Sequence, residues 1–358
     1  MIMKTTVKLK DIASYSKGSQ INGNNLIEDG AYEYLNGGID PSGKWNEYNV
    51  DGNTITISEG GNSCGYVNYM INPFWCGAHC YYLYNLKCSS KYLYYALKGN
   101  QSSIMKLRSG ACMPNIKKKD LGEFILSIDL DKKTQDKTIE IFNDLSSIIT
   151  HRRTQLEKLD LLVKARFVEM CNANPSCNLL SEFISKYNAE RCGERDLPVL
   201  SITKNAGIVL QSEKFSKRIA SIDSSTYKIV PRGKLVQGIH IDERNFDIQD
   251  VVDLGIVSPA YKIWSVNDEK CIPKVLAFAL RTDKTMEYIK SKFTGSVKRR
   301  ESISYENFMN TPIDLPSYDV QTQFADFVKK VDKSKATVQK ALDEAQLLFD
   351  SLMQEYFG

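Results

Sequence analysis

The chain has 358 residues, enough for two or three domains of about 150 residues each. Its 42% of hydrophobic and 25% of charged residues are ordinary for a globular protein, and no uninterrupted apolar run approaches the ~18 residues of a membrane-spanning helix. The net charge of +4 neither favours nor excludes nucleic acid, and nine cysteines without a secretory signal predict reduced thiols in a cytoplasmic protein.

Residues 1–131 are predicted to form the first globular domain. Short aromatic and β-branched runs, such as NTITIS at 53–58 and YYLYNL at 81–86, alternate with clusters of Gly, Asn, Asp and Pro. Such runs are typical of strands separated by turns. A helical patch over 91–107 adds to them, so we predict an α+β domain of mixed sheet and short helices.

A long helix is predicted over residues 132–171, because apolar residues recur at helical spacing without an interrupting Gly or Pro. Its length of ~55 Å exceeds that of an ordinary globular helix. Residues 172–178, which contain Pro, Asn and Ser, are predicted to be a linker. The predicted apolar seam of this helix consists of Phe142, Leu145, Ile149, Leu156, Leu159 and Val163.

The second half of the chain follows the same order. Residues 179–317 again contain strand-like runs, including STYKIV at 225–230 and YKIWSV at 261–266, and a helical patch over 272–291. A second long helix is predicted over 318–358. Its predicted seam consists of Phe324, Val331, Val338, Leu348 and Leu352.

The seven-residue spacing of both seams predicts that the two long helices pack as an antiparallel coiled coil. Arginines interrupt the first seam and alanines weaken the second, which favours packing against each other or a partner over two homodimeric zippers. The alternative is two amphipathic helices on separate cores. It would require helices of ~36 residues, far above the usual length.

Internal repetition relates the two halves. Residues that precede the first long helix recur before the second at offsets of 185 to 187 residues, as Gly110/Gly295, Ile116/Ile303, Leu121/Phe308 and Ile128/Leu315. The globular starts LKDIASYSKG (9–18) and LSEFISKYNA (180–189) also resemble each other. We therefore predict a duplicated unit of about 180 residues with pseudo-twofold symmetry.

The sequence contains none of the common catalytic motifs. It has no P-loop, no nucleophile elbow and no His-Glu-x-x-His motif. The glycine-rich segment GGNSCG at 60–65 lacks the downstream helix of a dinucleotide site. These observations predict a chain without catalytic residues, which binds rather than reacts.

Two local patterns could suggest chemistry. NPFW at 72–75 resembles the loop with which adenine-N6 methyltransferases hold a flipped base, but Phe74 replaces its second proline, so we interpret it as a buried turn. Cys76, His79 and Cys80 could bind zinc. Because strand alternation would place His79 opposite the two cysteines, we predict no metal site.

Loop cations and amides are the groups best suited to a binding role. Arginine can recognise guanine in the major groove, and both Arg and Lys can bind phosphate. A solvated surface turn is the alternative for each loop. The predicted DNA-binding residues are Lys17, Asn36, Gly37, Gly38, Arg108, Lys117, Lys118, Lys119, Lys204, Asn205, Lys217, Arg218, Lys298, Arg299 and Arg300.

Several segments, taken together, resemble one known family. They include FSKRIASIDSSTYKIVPRGKLV (215–236), GIVSPAYKIW (255–264) and GSVKRRESISYENFMNTPIDLPS (295–317), with HRRTQLEKLDLLVKARFVEM (151–170) in the first long helix. In these residues and their order, the whole chain resembles the specificity subunit of type I restriction-modification systems. VQTQ (320–323) departs from that family's frequent Glu-Gln pair.

This resemblance implies two target recognition domains that each bind half of a bipartite double-stranded DNA target, with the long helices as spacers. It implies two methyltransferase subunits that dock on the helices, and motor-nuclease subunits that join for restriction. AdoMet, ATP and Mg would be bound by those partners and no cofactor by this chain. The alternatives are a related system whose partner fuses methylation and cleavage, or a free-standing DNA-binding scaffold.

Overall fold

The computed structural model of the chain describes residues 4–110, 114–173, 178–203, 207–214, 224–293 and 303–358. Contacts divide the chain into two units. Unit 1 comprises Met1–Gln155 and Val338–Gly358, and unit 2 comprises Leu156–Thr337. Within the described ranges, no helix has both the length and the apolar character needed to cross a membrane.

Unit 1 is built on an antiparallel sheet of order β2-β8-β5-β6. A second sheet of order β4-β3-β7 includes one parallel pair, β3 with β7, and β1 pairs with β9. The elements are β1 (Thr5–Lys8), α1 (Leu9–Ile12), β2 (Ser14–Lys17), β3 (Tyr32–Leu35), β4 (Gly43–Trp45), β5 (Thr54–Ser58), β6 (Val67–Met70), β7 (Phe74–Cys76), β8 (Cys80–Tyr84), α2 (Ser90–Gly99), α3 (Gln101–Met105), α4 (Lys118–Gly122) and β9 (Ile125–Ile128).

Helix α2 covers the main sheet of unit 1. Leu93 and Leu97, four residues apart on one face of the helix, are fully buried with Ile55 and Ile57 of β5. Full burial of such a side chain contributes roughly 1.5–3 kcal/mol relative to exposure. The strand-like runs and the helical patch of the sequence therefore form one core, as predicted.

Unit 2 repeats this plan. Its main sheet has the order β11-β18-β15-β16, and β10 pairs with β19 as β1 does with β9. The elements are β10 (Asn178–Leu179), β11 (Ile184–Lys186), β12 (Leu200–Thr203), β13 (Gly207–Leu210), α6 (Gln211–Lys214), β14 (Lys228–Pro231), β15 (Leu235–Gln237), β16 (Phe246–Ile248), β17 (Leu254–Val257), β18 (Lys262–Val266), α7 (Pro273–Leu280), α8 (Asp283–Ser291), α9 (Tyr305–Met309) and β19 (Pro312–Ile313).

The central parts of the two units differ. Unit 2 has two-stranded ladders β12-β13 and β14-β17 where unit 1 has the three-stranded sheet β4-β3-β7. The shared sheet order and the shared pairing of the first and last strands confirm the predicted duplication, while the remaining strands show that the two copies differ in the middle.

The two predicted long helices are α5 (Lys132–Ala173) and α10 (Tyr318–Phe357). Helix α5 extends beyond the predicted residue 171, and Asn178 already belongs to β10, so the predicted linker 172–178 is shorter than expected. Residues 174–177 lie outside the described part of the chain.

Each unit contains an antiparallel pairing of these helices. In unit 1 the start of α5 packs on the end of α10, with ring centroids of Phe142 and Phe349 5.3 Å apart. In unit 2 the end of α5 packs on the start of α10, with Phe167 and Phe324 5.1 Å apart. The predicted antiparallel packing is confirmed.

The predicted seam is wrong at one residue. Leu348 is 49% exposed, while Phe349 and Met353 pack into the core. Leu348 lies 24 residues, or about three and a half heptads, after Phe324. A straight α-helix drifts by about 20° per heptad relative to a seven-residue repeat, so the inward position has shifted by roughly 70° at Leu348. The remaining predicted seam residues are buried or half-buried: Phe142, Leu145, Ile149, Leu156, Leu159, Val163, Phe324, Val331, Val338 and Leu352.

A buried glutamine joins each long helix to its globular part. The side chain of Gln135 accepts from the Ser89 N–H (3.0 Å) and donates to the Asp129 carbonyl (2.9 Å). Gln321, 186 residues later, accepts from the N–H of Ile272 (2.8 Å) and donates to the carbonyl of Pro316 (2.9 Å). The repeat therefore preserves this polar junction as well as the apolar core.

Replacing Gln321 with alanine is expected to lower the free energy of unfolding of unit 2 by about 2 kcal/mol, because it leaves a buried N–H and a buried carbonyl without partners. Chemical denaturation of the full chain measures the change. The matched control is Gln339→Ala in the same helix, whose side chain is exposed, with an expected effect within about 0.5 kcal/mol. Equal destabilisation by both variants would contradict the role assigned to Gln321.

Candidate nucleic-acid interface

At one end of the main sheet of unit 1, the predicted DNA-binding residues Lys17 and Asn36 are linked through the Glu59 carboxylate and His79. Lys17, at the end of β2, forms an ion pair with one oxygen of that carboxylate, and Nδ1 of His79 lies 3.5 Å from the other. The N–H of His79 donates to Oδ1 of Asn36 (3.2 Å). The Glu59 side chain is only 12% exposed, whereas the side chains of its partners Lys17 and His79 are 43% and 64% exposed.

The loop after β3 is held by its glycines. Gly37 has φ +83°, and an added Cβ would lie 2.3 Å from the carbonyl oxygen of His79, so only glycine fits there. Its carbonyl accepts from the Ser63 hydroxyl (2.6 Å). Gly37 is buried, so it shapes the loop and does not itself offer backbone to a groove, whereas Asn36 and Gly38 are half-buried.

Arg108 and Lys117 lie next to two segments, 109–110 and 114–116, at the same end of the sheet. Ser109 and Asn115 exchange backbone hydrogen bonds of 2.9 and 3.0 Å, which join these two segments. The N–H of Ile116 then donates to the carbonyl of Glu59 (2.8 Å). Both predicted cations are exposed and therefore lie on the segments that adjoin the Glu59 group.

Lys118 and Lys119 begin helix α4 and are also exposed. The Lys118 ammonium lies 5.6 Å from the ring centroid of Tyr15, and the Tyr15 hydroxyl donates to the carbonyl of Lys118 (3.2 Å). The structure thus brings the unit 1 candidates to one edge. It also adds Glu59 and His79, which are not among the predicted DNA-binding residues.

The two patterns that could suggest chemistry lie at strands β7 and β8 of unit 1. The predicted buried turn at 72–75 is wrong, because Asn72 is exposed and Phe74 and Trp75 belong to β7. The Phe74 side chain is fully buried, and the Trp75 indole N–H donates to the carbonyl of Ser19 (2.7 Å). Cys76 and Cys80 are buried, and their contact together with burial raises the pKa of the Cys76 thiol. In the part of the chain that the structure describes, no three His, Cys, Asp or Glu residues are placed to hold a metal ion.

The predicted DNA-binding residues of unit 2 lie outside the described residues: Lys204, Asn205, Lys217, Arg218, Lys298, Arg299 and Arg300. The described strands instead bring together four cations that were not predicted, Lys186, Arg191, Lys228 and Lys262. Two of them occupy the middle of the same tripeptide, Tyr-Lys-Ile, at 227–229 and 261–263. That repetition was the signal in the sequence that could have found them.

The long helices expose a repeated pair of leucines. Leu161 and Leu162 of α5 are 60% and 48% exposed, and Leu347 and Leu348 of α10, 186 residues later, are 72% and 49% exposed. One pair lies in each unit. Isolated exposed leucines are common, whereas this exposed dipeptide occurs at equivalent positions in both copies of the repeat.

Comparison with known proteins relates the chain to one family. Residues 2–159 match the family model of the type I restriction modification DNA specificity domain. A protein of Mycoplasma pneumoniae named as a type I specificity subunit is 41% identical over 135 residues, which cover 37% of this chain and 35% of that protein. Another from Mycoplasma genitalium is 35% identical over 147 residues, covering 38% of each chain.

The similarity of fold extends further than the similarity of sequence. The aligned segments span little more than a third of the length of those curated relatives. The crystal structure of a type I restriction-modification S subunit from M. genitalium matches 100% of this chain and 96% of its own, with a TM-score of 0.62 at 20% identity. The chain therefore has the fold of a type I specificity subunit, and its residues 2–159 match the family model of the type I restriction modification DNA specificity domain.

Proposed function

We propose that this chain is the DNA-recognition subunit of a type I restriction-modification complex. The observation that carries the proposal is the uneven repeat. The two units share the main sheet, the buried glutamine and the helix pairing, but their central strands differ. Two units that share these features but differ in their central strands are suited to bind two different halves of one bipartite double-stranded DNA target.

The exposed leucine pairs support two copies of one partner. Because Leu161–Leu162 and Leu347–Leu348 occupy equivalent places in the repeat, each unit offers the same apolar surface. We assign these surfaces to two methyltransferase subunits, with motor-nuclease subunits joining for restriction. In this assignment AdoMet, ATP and Mg are bound by the partners, and the chain itself performs no chemistry.

The test is selection of random-sequence duplex DNA by the chain co-expressed with its methyltransferase. The expected product is a bipartite motif. In the double variant Lys17→Ala/Asn36→Ala, the preference for the correct bases in one half-site is expected to fall by about 10-fold or more. In Arg299→Ala/Arg300→Ala the same loss is expected in the other half-site. The reason is that a bidentate base contact contributes roughly 1–3 kcal/mol of discrimination.

Three outcomes would contradict parts of this proposal. Equal loss at both half-sites would contradict independent recognition modules. A partner that fuses methylation and cleavage in one chain would assign the protein to a related system. A stable, sequence-specific complex of DNA with the chain alone, without any methyltransferase bound in the cell, would make it a free-standing scaffold.

A further inference from the structure

Four cationic side chains of unit 2, Lys186, Arg191, Lys228 and Lys262, lie close together in the structure. Lys186 ends β11 and is paired with Trp264 of β18, and Lys262 begins that same strand. Arg191 forms an isolated antiparallel bridge with Lys228, the first residue of β14. These four residues are called the basic cluster below.

Backbone hydrogen bonds fix the segments that carry the basic cluster. The Tyr187 N–H donates to the Ile263 carbonyl (3.1 Å), so the residues next to Lys186 and Lys262 are joined. The Ile229 N–H donates to the carbonyl of Glu190 (2.9 Å), which joins the neighbours of Lys228 and Arg191. The backbone of two sheets, β11-β18-β15-β16 and β14-β17, therefore fixes the segments that carry the basic cluster.

Lys228 lies at the centre of the basic cluster. Its ammonium donates to the carbonyl of Tyr261 (2.7 Å) and is half-buried, while the other three side chains are exposed. Burial lowers its pKa, and the positive charges of Arg191, Lys186 and Lys262 lower it further. The charges therefore repel one another in the free protein.

The carboxylate nearest along the chain does not relieve this repulsion. Glu190 precedes Arg191, but its carboxylate forms an ion pair with Arg195 (2.9 Å). Fixed, mutually repelling cations favour binding of an anion with several charges, because each phosphate contact also releases condensed counterions from DNA. Elsewhere in unit 2, Lys274 and Lys284 show the opposite arrangement, each paired with an aspartate.

We propose that the basic cluster binds the phosphate backbone of the DNA that unit 2 recognises. The inference rests on the proposed function and adds to it a division of labour. The cluster positions the duplex on unit 2 and contributes affinity without sequence preference, while other residues of unit 2 select the bases.

The experiment measures the binding of a fluorescent duplex by the full chain, with its co-expressed methyltransferase, as a function of salt concentration. The probes are the duplex obtained by random-sequence selection and one of unrelated sequence. In Lys186→Gln/Lys262→Gln, the slope of log affinity against log salt is expected to become shallower by about 1 to 2, at ~0.9 per lost phosphate contact. Affinity for both duplexes falls by the same factor, and the selected motif is unchanged.

The matched control is Lys274→Gln/Lys284→Gln, which removes the same charge from unit 2 but from lysines that have aspartate partners. Its slope is expected to equal that of the wild type, and thermal unfolding establishes that both variants fold. An unchanged slope in the cluster variant overturns the inference, as does a loss confined to the selected duplex. Tighter binding of a structured RNA that depends on the same lysines overturns the assignment to DNA.

The failure of the inference is distinct from that of the proposed function. If the wild-type complex binds no duplex selectively, the proposed function fails whatever the variants do. If the wild-type complex selects a bipartite motif while the cluster variant keeps the wild-type slope, only the phosphate assignment fails.

Discussion

Replacing Leu161 and Leu162 with aspartate is expected to leave the chain folded and to reduce the number of methyltransferase subunits per chain from two to one. Each of these leucines is about half exposed or more, so the variant disturbs little of unit 2. Full burial of a leucine contributes roughly 1.5–3 kcal/mol and about half of each side chain is still exposed, so the double loss weakens one docking surface by ~10-fold or more. Native mass spectrometry of the co-expressed complex measures the stoichiometry.

The repeat supplies the rest of the test. The same change at Leu347 and Leu348 is expected to give one bound partner as well, and the fourfold variant none. Ile148→Asp is the matched control, because Ile148 is 45% exposed on the same helix but its counterpart in the repeat is the polar Ser334. Loss of a partner in that control, or two partners in the fourfold variant, would contradict the assignment.

Phe142→Ala is expected to destabilise unit 1 by about 3–5 kcal/mol. The Phe142 ring is fully buried, 5.0 Å from the ring of Tyr95 and 5.3 Å from that of Phe349. It therefore joins helix α2, the start of α5 and the end of α10, and its removal leaves a cavity among three helices. Hydrogen exchange is the measurement, with protection of residues 338–357 expected to fall most.

The neighbouring residue provides the control for this second change. Ile141 precedes Phe142 on the same helix and is 37% exposed, so Ile141→Ala keeps the backbone and removes apolar surface that is only partly packed. It is expected to lower stability by no more than about 1 kcal/mol. If the two variants lose similar stability, the packing of Phe142 against Tyr95 and Phe349 does not stabilise the helix pair of unit 1.

The long helices were predictable from sequence because their signal is local. Apolar residues at helical spacing placed the first over 132–171, and the structure has Lys132–Ala173. The exposure of Leu348 was not predictable from a strict seven-residue count, since it depends on the pitch that the helix adopts. The roles of Gln135 and Gln321 were also not predictable from the sequence, because their hydrogen-bond partners Ser89 and Ile272 lie on other segments.

The candidate site was predictable only in part, for the same reason. The sequence identified Lys17 and Asn36 as candidate DNA-binding residues. Their proximity to Glu59 could not be predicted, because it depends on strand pairing between distant segments. The basic cluster is the stronger case, because the repeated tripeptide around Lys228 and Lys262 does not show that Lys186 and Arg191 lie beside them. Periodicity identifies elements, whereas the register between strands decides which side chains become neighbours.

The division into units has a consequence for how the protein is made. Unit 2 is one continuous stretch, Leu156–Thr337, whereas unit 1 requires both Met1–Gln155 and Val338–Gly358. During synthesis on the ribosome, unit 2 can therefore fold before unit 1 is complete. Unit 1 still lacks the C-terminal segment, in which the ring centroid of Phe357 lies 5.4 Å from that of Tyr92. A nascent chain halted before residue 338 lacks Phe349 and Phe357, so the rings of Tyr92 and Phe142 that pack against them stay uncovered.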